Sequence, residues 1–444
     1  MTEKIKNLIE SKNYVEVKKE LSEMNEYDIA SIIEELPEEE IIKVFRLLPK
    51  DIAADVFAYI DQDIQKELIT LLTNDEAVHI ITNMYADDAV DLLDEMPASV
   101  VTKLLSKVSK EKRININKLL KYPDNSAGSL MTVEYVDLKE NSTIKDALSK
   151  IRTEGNDKSI IDTCYVVDKK RKLIGTVSLK ELIFNDPNIR ISDIMDDNVI
   201  FVNTLEDQEE VSKIFKDYDI NVLPVTDNEE RLVGVITVDD VIDIVIQENK
   251  EDIEKMAGMV STEKEYLKMS VWEIWKSRIP WLLLLMISAT FTGKVIQNYE
   301  NSLAKYAILT SFIPMIMGTV GNAGGQTSVT IIRGLSLDEI EFKDTFKIIW
   351  KEIRAGVIIG FTLAIANFIK LITIDHISVI ISFVVCLTLL VTIIIAKIVG
   401  CLLPLGAKKV GFDPAVMASP FITTILDTLS LVIFFKIATI ILHI

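Results

Sequence analysis

Five apolar segments, each long enough to cross a lipid bilayer, fill the last third of this chain. They cover approximately residues 279–298, 303–332, 353–373, 377–403 and 414–441 of 444. A helix needs roughly 20 residues to span the hydrocarbon core of a membrane. A soluble globule with five such segments would have too little polar sequence left to cover its surface. The sequence therefore predicts an integral membrane protein with an all-α bundle of five transmembrane helices.

Basic residues near the ends of these segments predict how the bundle is oriented. Five crossings place the two chain ends on opposite sides of the membrane. One side receives nine basic residues, which are Lys276, Arg278, Arg333, Lys343, Lys347, Lys351, Arg354, Lys408 and Lys409, whereas the other receives Lys294, Lys305 and Lys370. Cytosolic loops carry the excess of Lys and Arg. We therefore expect a multi-pass protein of the cell membrane with a cytosolic N-terminus and an external C-terminus.

The part of the chain before the spans is strongly acidic. Nine acidic and twelve basic residues follow residue 278, so the net charge of −19 on the whole chain becomes −22 on residues 1–278. This sign argues against a nucleic acid partner and favours metal cations or a basic partner. The first residues contain no long apolar run, so no signal peptide is predicted. Cys164, Cys386 and Cys401 lack the paired spacing of a zinc site or disulfide framework and are expected to be packing residues.

The middle of the chain is an internal repeat. Residues 164–183, CYVVDKKRKLIGTVSLKELI, align with residues 223–242, LPVTDNEERLVGVITVDDVI, as a strand, a charged turn, a second strand and a helix start. The pair resembles tandem CBS domains over about residues 129–250. The resemblance implies an adenosine nucleotide such as ATP at GVITVDD, with Thr237 and Asp240 as contacts. Glu181 replaces Asp240 in the first copy, and dimer packing without a nucleotide stays an open alternative.

Residues 1–128 are predicted to form a helical solenoid. Amphipathic stretches of helix length are punctuated by Pro37, Pro49 and Pro97, which favour helix starts. Asp87 and Asp91 are four residues apart and share one helix face, where like charges repel unless a cation lies between them. This spacing alone favours the simpler interpretation of a solvated acidic face.

A second acidic run follows the repeat. Asp240, Asp243, Glu248, Glu251 and Asp252 recur at helical spacing toward the first span. A helix of roughly 30 residues would reach about 45 Å, enough to couple a cytosolic domain to the mouth of a pore. A spacer helix whose acids face water is the alternative, but the charge of the whole cytosolic half favours a sensor for divalent cations.

Two of the spans contain residues that are unusual at membrane depth. The second span, FIPMIMGTVGNAGGQTSVTIIRGLSL, has glycines predicted to loosen the helix, together with the side-chain oxygens of Asn322, Gln326 and Thr327. The fifth span carries Asp427 about halfway along. A carboxylate in the hydrocarbon region is energetically costly, so we expect it to have a function unless a counter-ion neutralises it. Lys397 could do so if the fourth span aligns, whereas Lys436 is too far along the same helix to reach it.

These span motifs, GTVGNAGGQ with RGLSL and DPAVMASPFITTILD, resemble the MgtE family of magnesium transporters and channels. The resemblance covers essentially the whole chain. It implies a multi-domain fold: an acidic helical solenoid (1–128), an α/β tandem CBS pair (129–245), a linker helix (246–276) and a transmembrane pore domain (277–444). It also implies a homodimer that conducts Mg²⁺ and closes when cytosolic Mg²⁺ binds.

The resemblance also implies the site residues. In the pore, Asp427 would attract the ion, with Asn322 and Thr423 contributing oxygens beside it. The sensor acids would be Asp55, Asp87 and Asp91 in the solenoid, Asp207, Glu209 and Asp219 in the second CBS copy, and Asp240, Asp243, Glu248, Glu251 and Asp252 around the linker helix.

The chemistry of these residues leaves some alternatives open. Mg²⁺ keeps most of its waters and is bound through one or two carboxylates, so paired Asp427 side chains suffice. Oxygen ligands indicate a hard cation but do not select Mg²⁺ over Mn²⁺, Co²⁺ or Ca²⁺. A membrane-anchored sensor without conduction is a second class, while the carboxylate at 427 argues against a CBS-regulated anion channel. An enzyme is not expected, because His79, His376 and His443 are scattered and no nucleophile–base pattern occurs.

Overall fold

The computed structural model describes residues 2–50, 52–262, 264, 266–417 and 419–443. Its contacts separate the chain into two compact units, residues 1–245 and residues 246–444. The first contains the N-terminal helices and the repeat, and the second contains the end of the linker helix and the membrane helices.

Short helices fill the N-terminal part of the first unit. They are α1 (Thr2–Glu10), α2 (Tyr14–Leu21), α3 (Glu26–Glu34), α4 (Glu38–Phe45), α5 (Ala53–Tyr59), α6 (Gln62–Leu71), α7 (Asn74–Asn83), α8 (Ala86–Asp94), α9 (Ala98–Leu105), α10 (Lys110–Leu119) and α11 (Ala127–Leu130). Pro37 and Pro97 directly precede α4 and α9, as the sequence predicts. The Thr73 and Glu76 side chains cap the start of α7 reciprocally. The predicted helical solenoid is confirmed.

Two small three-stranded sheets form the rest of this unit. The first copy contains β1 (Asp137–Lys139), α12 (Ile144–Glu154), β2 (Thr163–Val167), β3 (Leu173–Ser178) and α13 (Leu179–Phe184). The second contains β4 (Val202–Asn203), α14 (Gln208–Tyr218), β5 (Val222–Thr226), β6 (Leu232–Thr237) and the start of α15 (Val238–Met256). In each sheet the first strand runs parallel to the second and the second antiparallel to the third. The α/β repeat is confirmed.

The repeat extends to the packing of single residues. A Cβ atom on Gly175 would lie 2.8 Å from Met195 Sδ, and one on Gly234 would lie 2.5 Å from Met131 Sδ. A side chain at either position would collide with the methionine that packs against it, so both positions require glycine. The segment at Met131 also pairs with β6, since Thr132 N–H donates to the Val235 carbonyl at 2.8 Å. The segment around Met131, which precedes the first copy in the sequence, thus packs on the second copy. The segment around Met195, which precedes the second copy, packs on the first copy.

The second copy packs directly on the solenoid. Leu223, Val225 and Ile236 share one hydrophobic core with solenoid residues such as Phe57 and Leu92. Backbone hydrogen bonds join the same parts, since Ala127 N–H donates to the Glu206 carbonyl at 2.7 Å. This packing places α8 against the start of α15.

The linker differs from the sequence-based expectation. The continuous helix α15 ends at Met256 instead of running through to residue 276. Gly258 has a φ of +71°, which a glycine adopts readily and which a helix does not continue through. A new helix begins at Val271, where the Ser270 and Glu273 side chains form a capping box. The linker is therefore a helix followed by a segment whose described residues contain only one short 3₁₀ helix, Tyr266–Lys268.

The second unit contains the membrane helices. They are α16 (Val271–Asn298), α17 (Glu300–Lys305), α18 (Ile313–Ser336), α19 (Thr345–Thr373), α20 (Val379–Val410) and α21 (Ser419–Leu442). Within the described residues, five helical stretches are long and apolar enough to cross a membrane: Val271–Asn298, Ala307–Ser336, Phe342–Thr373, Val379–Val410 and Pro414–Leu442. The predicted number of spans is confirmed.

The glycine-rich span is a continuous helix, contrary to the expectation that its glycines loosen it. The glycines instead allow other helices to approach α18 closely. A Cβ atom on Gly321 would lie 3.0 Å from Thr423 Cγ2 of α21. A Cβ atom on Gly400 of α20 would lie 2.6 Å from the Gly324 carbonyl oxygen. Small residues serve the same purpose at many helix contacts in membranes.

Gly400→Ala is expected to destabilise the membrane unit. The new methyl group would meet the backbone of α18, which cannot move as a flexible side chain can, so α18 and α20 must separate. Overpacking of this kind costs about 1–3 kcal/mol. The thermal unfolding midpoint of the purified protein should fall by several degrees. Gly406→Ala on the same helix is the matched control, because a Cβ atom there has no described neighbour within 4 Å. Equal midpoints for both variants would contradict the close packing at Gly400.

Candidate metal sites in the two units

The first unit contains an acidic cluster formed by Asp87, Asp88, Asp91, Glu134 and Asp240. The first three lie on α8, Asp240 lies in the first turn of α15, and Glu134 lies just before β1. The Ala86 N–H at the start of α8 donates to Glu134 Oε2 at 3.4 Å. Thr132 Oγ1 donates to the same oxygen at 2.7 Å. Carboxylates from three distant parts of the sequence are thus brought together where the solenoid meets the second CBS copy.

The electrostatics of this cluster are unfavourable when no cation is present. Burial, followed by the charges of Asp88, Asp240 and Glu134, raises the pKa of Asp87 well above its ordinary value. Burial and the charges of Asp240 and Asp91 raise the pKa of Asp88 to about 7. Burial and the charge of Asp240 raise the pKa of Asp91 to about 6. Burial also raises the pKa of Asp240. A bound cation would remove this repulsion.

One carboxylate oxygen of the cluster stands out. Asp87 Oδ1 is buried and has no hydrogen-bond partner among the described protein atoms. A buried acceptor without a partner is costly, and a native structure normally supplies one in the form of water or an ion. This buried oxygen is an acceptor that a cation or a water could occupy. The cation that the spacing of Asp87 and Asp91 suggests stays a prediction.

One lysine already neutralises part of the cluster. Lys112 Nζ donates to Glu134 Oε1 at 3.0 Å and to the Met84 carbonyl at 2.6 Å. Both side chains of this ion pair are largely buried, with exposed fractions of 13% and 14%. Lys112 therefore balances Glu134 and leaves the four aspartates as the unneutralised part. The sequence analysis missed Asp88, Glu134 and Lys112, because only the tertiary fold brings them near Asp240.

The raised pKa values predict how pH affects stability. The folded protein binds more protons than the unfolded chain between pH about 4, where free aspartate titrates, and the pKa of about 7 at Asp88. Stability should therefore fall as pH rises through this window. Without divalent ions, we expect the unfolding midpoint to be a few degrees higher at pH 5.5 than at pH 8, which corresponds to about 1–2 kcal/mol.

The control for the pH effect is the variant Asp88→Asn with Asp91→Asn. It removes two of the four aspartates whose pKa values are raised and should make the dependence clearly shallower, as should saturating Mg²⁺ in the wild type. A midpoint that is insensitive to pH in the wild type, or a slope that the variant retains, would contradict the assignment.

The cluster is not a closed metal cage. Within the described residues, no three His, Cys, Asp or Glu side chains converge tightly enough to hold a bare metal ion. Mg²⁺ does not need such a cage, because it retains several waters and contacts one or two carboxylates. The arrangement can therefore hold a hydrated hard cation and offers nothing to a metal that prefers nitrogen or sulfur.

The other predicted sensor acids of the first unit lie elsewhere. Asp207 Oδ1 caps α14 by accepting the Glu209 N–H at 2.9 Å, and Glu209 pairs with Lys213 at 3.4 Å. Asp219 ends α14 with a left-handed φ of 50°. These three acids thus have evident structural roles. Asp55 lies on α5 and, after burial, is the main charge that raises the pKa of Tyr85, the residue directly before α8.

The predicted nucleotide contacts lie at the start of α15. Thr237 Oγ1 donates a hydrogen bond to the Asp240 carboxylate. The first copy has the same arrangement, in which Ser178 and Glu181 form a capping box at the start of α13. Thr237 and Asp240 therefore cap a helix as well as offering groups to a ligand. Asp240 is shared between this position and the acidic cluster.

The linker acids divide between the two units. Asp243 is exposed on the part of α15 that belongs to the first unit. Glu248, Glu251 and Asp252 follow on the part that belongs to the second unit. There Lys255 Nζ lies 2.5 Å from Glu251 Oε1 and 2.7 Å from Asp413 Oδ2. Partial burial lowers the pKa of Lys255, but the hydrogen bonds to Asp413 and Glu251 raise it by more, so the net shift is upward. Lys255 thus ties the end of α15 to the loop before α21, a connection that the sequence analysis did not foresee.

Asp427 lies in the middle of α21 and is half-buried. No ion pair joins it to another described residue. Thr423 lies one turn earlier and packs against Gly321 of α18. Asn322 and Gln326 lie on α18 and are exposed in the single chain, although they are polar residues of an apolar span. Polar groups at membrane depth normally face a partner helix or a wet cavity.

The structure removes the main alternative explanation of Asp427. Lys397 pairs with Glu352 at 3.7 Å and is almost fully buried. Thr327 Oγ1 donates to the same Glu352 oxygen, Oε2, at 3.0 Å. Lys397 is therefore the counter-ion of Glu352 and not of Asp427. This intramembrane ion pair joins α18, α19 and α20, and the sequence analysis did not identify it.

Comparison with known families agrees with this division of the chain. A model for a divalent cation transporter domain named MgtE matches residues 313–437. The MgtE intracellular N domain matches residues 24–125, and CBS domains match residues 127–187 and 191–247. The fold and these matches thus define a multi-span protein of a divalent cation transporter class that carries CBS domains.

Individual relatives narrow the class further. The magnesium transporter MgtE of Thermus thermophilus is 35% identical over 331 residues, which is 74% of this chain and 73% of that protein. The MgtE of Bacillus subtilis is 35% identical over 74% of this chain and 72% of that protein. This chain belongs to the MgtE family of magnesium transporters.

Solved structures resemble the first half of the chain. One is a crystal structure of the soluble part of a magnesium transporter, with a TM-score of 0.52 and 32% identity over 56% of this chain and 97% of that one. Another is the cytosolic domain of the Mg²⁺ channel MgtE in complex with ATP, with a TM-score of 0.53 and 35% identity over 55% of this chain and 100% of that one.

Proposed function

We propose that this chain is a magnesium-selective channel of the cell membrane that closes when cytosolic Mg²⁺ binds to its acidic cytosolic half. The observation that carries the proposal is the Asp427 carboxylate in the middle of an apolar span, which forms no ion pair with another described residue. A charge at this depth requires water or an ion nearby. The magnesium transporters named MgtE, which share 35% identity with this chain, support Mg²⁺ as that ion.

The pore would form between two copies of the chain. Asn322 and Gln326 are exposed on α18 of the single chain, where lipid would leave their amide groups without partners. A second copy facing α18 and α21 would instead turn these groups and Asp427 toward a shared aqueous path. Two symmetry-related Asp427 carboxylates would then attract a hydrated Mg²⁺. Asn322 and Thr423 would offer oxygens to its waters.

The basic residues at the span ends support the orientation predicted above. The N-terminus and the acidic unit would lie in the cytosol, with the C-terminus outside. The acidic cluster would then meet the cytosolic Mg²⁺ concentration. Because an ion shifts an equilibrium only by its differential affinity for the two states, several weak sites must act together to close the pore.

The acidic cluster would be the main sensor. Mg²⁺ bound at Asp87, Asp88, Asp91 and Asp240 would hold the solenoid against the second CBS copy, since the ion removes the repulsion between their carboxylates. Asp55, Asp207, Glu209, Asp219, Asp243, Glu248, Glu251 and Asp252 would supply further weak sites. The helix α15 begins at the cluster and ends beside Asp413, so it can transmit the sensor's state to the membrane unit.

An adenosine nucleotide would bind the CBS pair at Thr237 and Asp240. The ATP complex of the related cytosolic domain supports this assignment. Asp240 would then be shared between the nucleotide and the ion, and the two ligands would influence each other through it.

Lys255→Met is expected to make closure depend more strongly on Mg²⁺. Without the ammonium group, Glu251 and Asp413 become two unneutralised carboxylates that repel one another. The end of α15 should then leave the loop before α21 unless Mg²⁺ takes the place of the lysine. At an internal Mg²⁺ concentration that closes most wild-type channels without saturating them, flux should rise by about 2- to 10-fold, the change produced by roughly 0.5–1.4 kcal/mol.

Saturating Mg²⁺ should restore closure in Lys255→Met. Lys347→Met at the start of α19 makes the same change of charge and size and should behave as the wild type. Unaltered flux in Lys255→Met at every Mg²⁺ concentration would show that this ion pair does not hold the closed state.

Divalent flux through the purified full-length protein in liposomes tests the proposed function. Mg²⁺ should enter protein-containing vesicles, and an excess of Ca²⁺ should not block it, if the channel selects for Mg²⁺. Competition by Mn²⁺ or Co²⁺ at equal concentration would reassign the cargo to another hard cation. The absence of any divalent flux would favour a membrane-anchored sensor.

A further inference from the structure

A basic cavity lies in the first unit, apart from the acidic cluster. It has a volume of about 520 Å³ and is lined by α10, the segment around β1, and the two β-hairpin turns of the repeat. Neither Thr237 nor Asp240 lines it. Its four basic side chains are Lys118, Lys158, Arg171 and Arg231. Their convergence is unexpected in a half of the chain that carries a formal charge of −22.

Three acidic residues also line the cavity, Glu111, Asp137 and Asp227, and the last two are already engaged. Lys150 Nζ, from outside the cavity, donates to Asp137 Oδ1 at 2.5 Å. Asp227 Oδ1 accepts the backbone N–H groups of Glu229 at 2.9 Å and Arg231 at 3.0 Å. These carboxylates therefore order their own turns and strands and are not the dedicated counter-ions of the lining cations.

Two of the lining cations, Lys118 and Arg171, influence each other's charge. Partial burial, followed by the charge of Arg171, lowers the pKa of Lys118, which Asp227 only partly offsets. Arg171 is held in place, because its Nη2 donates to the Tyr135 hydroxyl at 3.0 Å and that hydroxyl lies 3.3 Å from the Leu232 carbonyl oxygen. Two positive groups thus line the same cavity and repel each other, and an anion bound between them would stabilise both.

The scaffold that carries the arginines is rigid. The two hairpin turns hydrogen-bond to each other, since Leu173 N–H donates to the Glu230 carbonyl at 3.0 Å and Leu232 N–H donates to the Arg171 carbonyl at 3.1 Å. A guanidinium group on such a turn presents a preorganised fork of donors that matches the oxygens of a phosphate group. The volume is within the range of small-molecule sites.

We propose that this cavity binds a small polyphosphate anion, with Arg171 and Lys118 as its principal contacts and Lys158 and Arg231 as further cationic groups. The anion is either free inorganic polyphosphate or the phosphate tail of a nucleotide, which share this chemistry. Lys118 belongs to the solenoid and Arg171 to the first CBS copy. The bound anion therefore joins these two parts, and it does so independently of the acidic cluster.

Binding of tripolyphosphate to the full-length protein in detergent, measured by calorimetry in EDTA, tests the proposal. The wild type should bind it. Arg171→Gln combined with Lys118→Gln should weaken binding by about tenfold or more, the effect of losing one charge-assisted hydrogen bond. Lys118→Gln alone, on an exposed position of α10, should weaken it less and serves as a second variant that leaves the hairpin turns intact. Lys103→Gln on α9 is the matched control and should bind as the wild type does.

A further arm distinguishes the two sources of phosphate. Asp240→Ala should weaken nucleotide binding at the CBS site without affecting this cavity. If ATP still binds to Asp240→Ala, and adding Arg171→Gln with Lys118→Gln weakens that binding by about tenfold or more, the occupant is a nucleotide. If only tripolyphosphate binds, the occupant is free polyphosphate. A wild type that binds neither anion, or a double variant that binds both as the wild type does, would overturn the proposal.

Discussion

Asp427→Asn is expected to reduce Mg²⁺ flux by roughly 10- to 100-fold, because it removes about 1.4–2.8 kcal/mol of attraction between a carboxylate and a partly hydrated divalent ion. Asparagine keeps the shape of aspartate, and Asp427 forms no ion pair with another described residue. The substitution should therefore leave folding unaffected. The measurement is initial Mg²⁺ uptake into liposomes at matched protein density.

The control for this variant is Asp375→Asn. Asp375 lies between α19 and α20 and pairs with Lys370 at 3.0 Å, away from the middle of α21. The Asp375→Asn variant removes one negative charge, as Asp427→Asn does, and should leave Mg²⁺ flux close to that of the wild type. If Asp427→Asn conducted Mg²⁺ at the wild-type rate, Asp427 could not be the residue that attracts the ion.

Asp87→Asn with Asp91→Asn is expected to leave the open channel intact and to abolish most of its response to Mg²⁺. The two amides carry no charge, so the cluster loses two of the carboxylates that would attract and hold the cation, while Asp88 and Asp240 still repel one another. The Mg²⁺ concentration for half-closure should rise by about tenfold or more, which corresponds to the loss of about 1.4 kcal/mol of ion binding. Flux at zero internal Mg²⁺ should equal that of the wild type.

Asp75→Asn is the matched control for the sensor variant. Asp75 lies at the start of α7 in the same solenoid, has a side chain that is 94% exposed and pairs with Lys107 at 3.1 Å. It changes the charge of the acidic half without touching the acidic cluster. Equal loss of Mg²⁺ sensitivity in Asp75→Asn would mean that total charge, and not the cluster, governs closure.

Much of the fold was predictable because its signals are local. Helix length and hydropathy identify the five spans, and the repeat at residues 164–183 and 223–242 predicts two matching sheets. The ends of the elements were less predictable. The third span was expected from residue 353, but α19 begins at Thr345, since a helix can continue through polar residues such as Lys347 and Lys351 that hydropathy excludes from a span.

The acidic cluster was only partly predictable. Asp87 and Asp91 follow from spacing on one helix, but the proximity of Asp240 and Glu134 depends on how the solenoid packs against the second CBS copy. Local sequence carries no information about such a contact. The ion-pair partners of Lys255 and Lys397 could not be predicted for the same reason. Lys255 and Asp413 are 158 residues apart, and Lys397 pairs with Glu352 instead of Asp427.

The most direct test of gating is the current through excised membrane patches that contain the full-length protein, with Mg²⁺ applied to the cytosolic face. The account predicts an open channel in the absence of Mg²⁺ and steep closure as Mg²⁺ reaches the millimolar range. Asp87→Asn with Asp91→Asn should stay open over the same range. A wild-type current that does not change with cytosolic Mg²⁺, or one that increases with it, would contradict the account.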